Sequence, residues 1–344
     1  MKAMTIVICS YNYERYIGEA IDSALAQEPD RTRVVVIDDG STDRSREIIE
    51  SYGDRITAVF KQNGGQATAY NLGLELADTE YLLFLDSDDV LYEGAITNVL
   101  RAFESGDYVK VQFRLDVIGP DGARTRAYVP NSKPPSDCTQ LIRKGWLYPS
   151  PPASGNAYRV SALRKILPIP VSEERRIAAD FFAIYGVSLL GPIFAIETAQ
   201  GGYRIHRSTV TNDGKAPQVG LSIANCQDLS VVIDSSPKRW EALRELVKER
   251  LGEDLPPHTV DFSYEKARLC ARVYEAPIAS RWHWLVFDSG RYFHSIFNNP
   301  YWHVGKKLSA VALTMMCVFP SRRIGDYAVR YLANPLARHA HASR

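Results

Sequence analysis

The sequence predicts an α/β fold: a doubly wound, mostly parallel sheet flanked by helices, followed by a helical C-terminal extension. Two patterns carry this expectation. Short apolar, β-branched runs alternate with helix-length amphipathic stretches through the first third of the 344 residues, and from about residue 225 the helical pattern continues alone. Strands joined by crossovers of helix length lie parallel, and near-continuous apolarity marks strands buried on both faces. Hydrophobic residues at 45% and charged residues at 24% supply a full core and exclude a disordered or collagen-like chain.

The first four strands are expected at 5–9, 33–37, 56–60 and 81–85, with helices at 16–27, 43–51, 66–76 and 92–105. Ile17, Ala20, Ile21, Ala24 and Leu25 recur at the three-and-four spacing of an amphipathic helix, and Ser41 or Thr42 offers an N-cap to the second helix. A fifth strand at 109–117 leads into Gly119-Pro120-Asp121-Gly122, a turn signal, and then 126–129, which makes a hairpin. The Pro-rich pieces 130–136 and 149–152 read as loops that cover or approach a site. A short helix at 161–166, a more apolar one at about 180–190 and a strand at 193–197 follow. Further helices are expected at 240–251 and 260–274, and no internal repeat is evident. The expected division is a catalytic domain over 1–222 and a mainly helical region over 223–344.

Lys and Arg number 41 against 40 Asp and Glu, a net charge of +1, which argues against a surface built to hold nucleic acid. The charge is unevenly placed. From residue 291 to 344 eight basic residues stand against Asp326 alone, leaving the first 290 residues acidic. Five scattered cysteines, Cys9, Cys138, Cys226, Cys270 and Cys317, show no metal or disulfide spacing and point to a reducing compartment. The N-terminal residues turn polar too soon for a secretory signal, so the expected location is cytoplasmic. The longest apolar stretch, 308–319, is interrupted by Ser309 and Thr314 and falls short of the roughly 20 residues of a spanning helix.

Each early strand runs into polar residues. They are Ser10-Tyr11-Asn12, Asp38-Asp39-Gly40-Ser41, Lys61-Gln62-Asn63-Gly64-Gly65 and Asp86-Ser87-Asp88-Asp89. In a doubly wound sheet ligands bind beyond the carboxyl ends of the strands, so these loops should meet at one rim. Caps and tight turns account for any one of them, but several carboxylates at one rim repel unless a cation or a ligand's donors offset them. Asp86-Ser87-Asp88 after a buried strand is a hard-oxygen pair suited to Mg²⁺ or Mn²⁺ shared with diphosphate oxygens.

Four blocks, TIVICSYNYERYIGEAIDSALAQ, VVVIDDGSTDRSREII, NGGQATAYNLGLELA and YLLFLDSDDVL, resemble in order and spacing the inverting glycosyltransferases of family 2, which have the GT-A fold. The blocks span residues 5 to 91, and a weaker likeness continues to about residue 212 through SGNAYRVSAL, the Ala178-Ala179-Asp180 segment and YRIHRS. The resemblance implies a nucleotide-sugar donor, with a UDP-sugar favoured, and a divalent cation. Ser10, Tyr11 and Asn12 would border the nucleotide, with Tyr11 against the base; Asp38 or Asp39 would accept from its imide and ribose. Lys61 would approach the base or diphosphate, while Gly65 and Asn71 shape the loop and helix beside the donor. Asp86 and Ser87 would contact ribose or sugar, and Asp86, Asp88 and His206 are the implied metal contacts. Asn156 and Arg159 would border the donor sugar or acceptor, and Arg204 or Arg207 would neutralise the leaving group.

Inverting transfer also needs a carboxylate to take the acceptor hydroxyl's proton. The position matching the family's base is Asp180; Ala179 stands where an acid is usual, and Glu173 and Glu174 are the other candidates. An aspartyl phosphohydrolase would need its second acidic motif downstream of Asp86, whereas the other acidic pair lies upstream. A Rossmann dehydrogenase lacks its glycine fingerprint. A non-catalytic scaffold of the same fold is the competing class. In the tail, Tyr292, Phe293, Ile296, Phe297, Tyr301 and Trp302 precede the 308–319 stretch, and Lys306, Lys307, Arg322 and Arg323 bracket it. This is the pattern of an in-plane interfacial helix or of a helix packed on the domain or on a second copy. The first reading puts the protein on the inner face of the cell membrane with a lipid-linked saccharide acceptor.

Overall fold

In the computed structural model, which describes residues 2–171, 179–206 and 229–333, the early strands end at matching levels. The chain runs β1 (Met4–Ser10), α1 (Ile17–Leu25), β2 (Thr32–Asp38), α2 (Ser45–Glu50), β3 (Thr57–Phe60), α3 (Gln66–Glu75) and β4 (Tyr81–Asp86). It continues through β5 (Val90–Leu91), α4 (Ala95–Glu104), β6 (Lys110–Ile118), β7 (Arg124–Val129), α5 (Thr139–Arg143), β8 (Asn156–Arg159), α6 (Val160–Ile166), α7 (Ala179–Val187) and β9 (Ile193–Arg204). Helices follow: α8 (Leu229–Leu251), α9 (Phe262–Val273), α10 (Ile278–His283), α11 (Gly290–Phe297), α12 (Val304–Cys317) and α13 (Arg322–Ala333).

The nine-stranded sheet has the order β3-β2-β1-β4-β8-β6-β9-β5, with β7 on β6. Strands β1 to β4 are parallel; β8 enters antiparallel to β4, β6 antiparallel to β8, and β9 parallel to β6. Only β5, β7 and β8 oppose the rest, so the sheet is mostly parallel. The registers Ser10↔Asp38, Asp38↔Phe60 and Cys9↔Asp86 bring the carboxyl ends of the first four strands to one rim. Helices α1 and α4 cover one face through Ile17, Ile21, Ile96, Val99 and Leu100, which pack with Ile6, Ile8, Leu83 and Leu85.

Two elements depart from the expected pattern. Strand β9 runs on to Arg204, past polar residues that hide it in the sequence, because it pairs with β6 along its length and with β5 at Gly201 and Gly202. A Cβ on Gly201 would lie 2.4 Å from the Val90 carbonyl oxygen, so only glycine allows that approach. Helix α8 begins at Leu229 and carries Pro237 inside it, where an interior proline would be expected to end a helix.

The described residues divide into two compact units. One holds residues up to Arg204 together with Arg239–Pro257; the other holds Ile205–Lys238 and the chain from His258 onward. The second has its own core, in which Leu269, Cys270, Trp284, Tyr292, Ile296, Cys317, Val329 and Leu332 pack together. Within that unit the buried Arg281 guanidinium donates to the Cys317 carbonyl at 3.0 Å and to Asp326 at 2.6 Å, tying α10 to α12 and α13. Among the described residues no helix is long and apolar enough to cross a membrane.

Candidate active site

The rim is built from the polar residues that follow β1, β2, β3 and β4. Asn12, at a φ of 60°, accepts from the Thr42 amide at 2.7 Å, and its own amide donates to Ser41 Oγ at 2.9 Å, which locks the first loop to the second. Tyr11 stands beside it, 46% exposed, as a free aromatic face would. Asp38 accepts from the Ser41 amide through Oδ2, while its buried Oδ1 and the buried Ser10 Oγ have no hydrogen-bond partner among the described residues. Buried polar atoms are normally satisfied, so these two stand out from the rest of the rim.

Several expected donor contacts turn out to be held by the protein itself. Asp39 accepts from the Lys61 ammonium and from the Gly64 and Gly65 amides at 2.9 and 2.8 Å, and Lys61 also donates to the Gln62 carbonyl and Thr68. Asp39, Lys61 and Gly65 therefore shape the third loop. Asn71 exchanges two 2.8 Å hydrogen bonds with the backbone of Ile169 and pins that loop. Asn156 is fully buried, accepting from Lys110 and Ser150 and donating to the Pro151 and Pro152 carbonyls. Arg159 pairs with Tyr81, at the start of β4, and its guanidinium bonds Glu80; it lies at the opposite end of the sheet from the rim.

The turn after β4 is fixed by residues far away in sequence. Ser154 Oγ accepts from the Asp86 amide at 3.0 Å and donates to Asp89 Oδ2 at 2.6 Å. Asp89 Oδ1 accepts from the Arg204 amide at 2.8 Å. The buried Arg204 guanidinium donates to the Asp88 carbonyl at 2.7 Å and to Glu19 at 2.6 Å, with its cation 4.7 Å from the centre of the Tyr16 ring. Arg204 thus holds the acidic turn by its backbone. Ser154, Glu19 and Tyr16 are among the site residues that the sequence alone does not single out; all three lie in segments that carry the family resemblance, but their partners are remote in the chain.

Both Asp89 oxygens are taken by Ser154 and Arg204, and Asp86 and Asp88 are the carboxylates of this turn expected at a cation. Ser87 between them is buried. Burial and the charges of Asp89, Asp88 and Asp180 hold the Asp86 carboxyl well above the usual carboxylate range. Among the described residues no three His, Cys, Asp or Glu side chains gather as a ready metal cage. Two carboxylates in an acidic excess suit a hard divalent cation that completes its shell with phosphate oxygens and water.

Asp180 sits in the first turn of α7, its carboxylate accepting from the Phe181 amide at 2.8 Å. Burial raises its carboxyl above the usual range, and the Arg239 charge and backbone N–H groups draw it partly back. Tyr13, another missed residue, feels the same cluster: burial and then Asp88, Asp86 and Asp89 push its phenol up. His206 is exposed and falls in the second unit. Glu173, Glu174 and Arg207 lie outside the described residues.

A sheet of this order carrying an acidic turn at its rim defines the GT-A class of glycosyltransferase, and comparison with known proteins agrees. The model of glycosyl transferase family 2 matches residues 5–167. A Nostoc relative named as an uncharacterized glycosyltransferase is 36% identical over 239 residues, 64% of this chain and 73% of its own length. The crystal structure of S. aureus TarS 1-349 aligns over 100% of this chain and 93% of its own with a TM-score of 0.51 at 18% identity. The same protein in complex with UDP-GlcNAc aligns over 98% and 92% with a TM-score of 0.50 at 18% identity. The chain belongs to glycosyltransferase family 2.

Proposed function

We propose that the protein is an inverting transferase that moves a sugar from a nucleotide diphosphate sugar to a hydroxyl of a saccharide or lipid-linked saccharide, in the synthesis of surface polysaccharide or a glycoconjugate. The observation that carries the reading is the pair of buried, unsatisfied atoms Ser10 Oγ and Asp38 Oδ1 at the rim that also holds Asp86 and Asp88. A nucleobase imide would donate to Asp38, with Tyr11 against the ring. UDP-sugars are the first donors to test, since TarS was solved with UDP-GlcNAc.

Asp86 and Asp88 would hold Mg²⁺ or Mn²⁺, which when bound neutralises charge on the departing diphosphate. Asp180 takes the proton of the acceptor hydroxyl as that oxygen attacks the anomeric carbon from the face opposite the diphosphate. The new C–O bond forms as the sugar–phosphate bond breaks, so one displacement gives one inversion. The raised affinity of Asp180 for a proton makes it a stronger base than an exposed carboxylate.

Catalysis in this reading belongs to residues 1–222, and residues 223–344 bring the enzyme to its acceptor. Support comes from α12, whose outward side is Val304, Leu308, Ala312, Met315 and, just beyond the helix, Phe319, all exposed. That spacing is one uncharged helical stripe, and the helix buries Thr314 and Cys317 on its other side. An apolar stripe on a helix that carries Lys306 and Lys307 in its first turn and is followed by Arg322 and Arg323 suits an anionic membrane surface, on the cytoplasmic face, with α12 lying in its plane.

Screening nucleotide sugars by thermal shift with Mn²⁺ tests the reading, because a ligand that binds the folded state raises the melting temperature. A UDP-sugar that stabilises the protein and is consumed with a saccharide acceptor is the expected result. No stabilisation by any nucleotide sugar would remove the proposal; stabilisation without transfer to any acceptor would identify a scaffold.

A further inference from the structure

Tyr70 is a buried polar residue at the rim that the fold does not use. Its ring, on α3, stacks on Phe84 of β4 with centroids 3.7 Å apart and planes 12° from parallel. Alternate residues of a strand share a face, so Phe84 and Asp86 project to the same side, and Tyr70 covers the side on which the Asp86 carboxylate stands. One helical turn earlier on the same face of α3, Gln66 Oε1 accepts from the Ala179 amide at 3.0 Å, next to Asp180. Tyr70 therefore stands on a helix whose same face meets both the strand that ends in Asp86 and the start of α7, and the charges of Asp86 and Asp180 both reach its phenol.

The side chain is 1% exposed, and among the described residues Oη has no hydrogen-bond partner. Burial, followed by the charges of Asp86 and Asp180, drives the phenol well above its usual range, so it remains a protonated donor. A buried hydroxyl without a partner costs stability, and phenylalanine would stack on Phe84 equally well without that cost. The hydroxyl is explained by something that enters the site.

We infer that Tyr70 Oη donates a hydrogen bond to an oxygen of the sugar being transferred, which makes Tyr70 a substrate-contact residue of the donor site. The assignment rests on the glycosyl-transfer reading above. The transferred sugar is the part of the substrate that must lie between the carboxylate pair holding the diphosphate end and the base that deprotonates the acceptor. Tyr70 is within reach of the charges of the same two groups.

The test is Tyr70→Phe, with the melting temperature, the kcat and KM for the UDP-sugar and the affinity for UDP alone measured beside the wild type. The expected result is a melting temperature unchanged or raised, kcat/KM for the donor about tenfold lower, the size of one ordinary hydrogen bond, and UDP affinity unchanged. Unchanged donor kinetics would overturn the contact. A parallel loss of UDP affinity would move it off the sugar, and a lowered melting temperature would make the hydroxyl structural; either overturns the assignment. A wild-type protein that binds no nucleotide sugar would instead bring down the transferase reading itself, an outcome told apart because it precedes any comparison with the variant.

Discussion

The strand rim and the C-terminal helices fail to close in opposite ways. At the rim, polar atoms are buried without partners among the described residues: Ser10 Oγ, Asp38 Oδ1 and Tyr70 Oη, beside an Asp86 carboxyl raised by burial and then by the charges of its neighbours. In the C-terminal unit, apolar side chains are exposed without cover: Phe287 is 73% exposed, Val304 70%, Leu308 61%. Folding alone favours neither arrangement, since satisfied polar groups and buried apolar ones are the stable choices. The difference bears on the proposal made for each region. Polar groups kept out of water fit a polar ligand held in a cleft, and apolar groups kept in water fit an extended apolar surface.

The sharpest way to break the rim half of this comparison is to remove its carboxylates. Asp180→Asn should lower kcat by about 10² to 10⁴, the usual contribution of a general base, and Asp88→Ala should abolish transfer. The base must be ionised to act, and Asp180 binds its proton above the ordinary carboxylate range, so the acid limb of the wild-type kcat profile should lie above about pH 4. For stability the sign is reversed. A carboxyl whose folded pKa is raised contributes stability at low pH that is lost as pH rises through that value, so Asp180→Asn should melt no lower, and at neutral pH higher, than the wild type. An acid limb at the ordinary carboxylate position would exclude Asp180 as the base.

Ser154→Ala probes the support of the acidic turn and should have a smaller effect. Losing the hydroxyl leaves the Asp86 amide and Asp89 Oδ2 without that partner, at a cost of about 1–3 kcal/mol in stability. The turn then holds Asp86 and Asp88 less firmly, and Mn²⁺ affinity read by titration in the presence of UDP should fall about 10- to 100-fold, as removal of a supporting shell does. A normal Mn²⁺ affinity in a destabilised variant would make the clamp purely structural.

The rim was legible in the sequence because apolar β-branched runs announce parallel strands and the rule of carboxyl ends needs only their order. Which of those polar residues the fold itself holds was not legible. Asp39 and Asn156 were expected at the donor without sight of the Gly64 amide and the Pro152 carbonyl that the fold sets against them, and Asn71, expected to shape the loop beside the donor, does so by bonding Ile169; those partners come from long-range packing. Arg159 was misplaced for a related reason: β8 is antiparallel, which puts its last residue at the far end of β4. Strand β5 also escaped notice, since a two-residue pairing with Gly201 and Gly202 leaves no periodicity to read. The C-terminal amphipathic stretch was visible, but the side it buries was settled only by Cys317, Thr314 and the helices packed on them.

The smallest expected effect tests that side. Leu308→Glu places a charge within the outward stripe of α12, at a side chain that is 61% exposed. Burying a leucine in an apolar phase is worth about 1.5–3 kcal/mol, so binding to vesicles containing anionic lipid should weaken roughly tenfold or more, while the melting temperature and transfer to a soluble acceptor stay unchanged. If the stripe instead packs against a second copy, the variant should change the oligomeric state in solution and leave vesicle binding alone. Loss of thermal stability without either effect would show that Leu308 serves the folded chain, and the contrast between an unsatisfied rim and an uncovered helix would reduce to the rim.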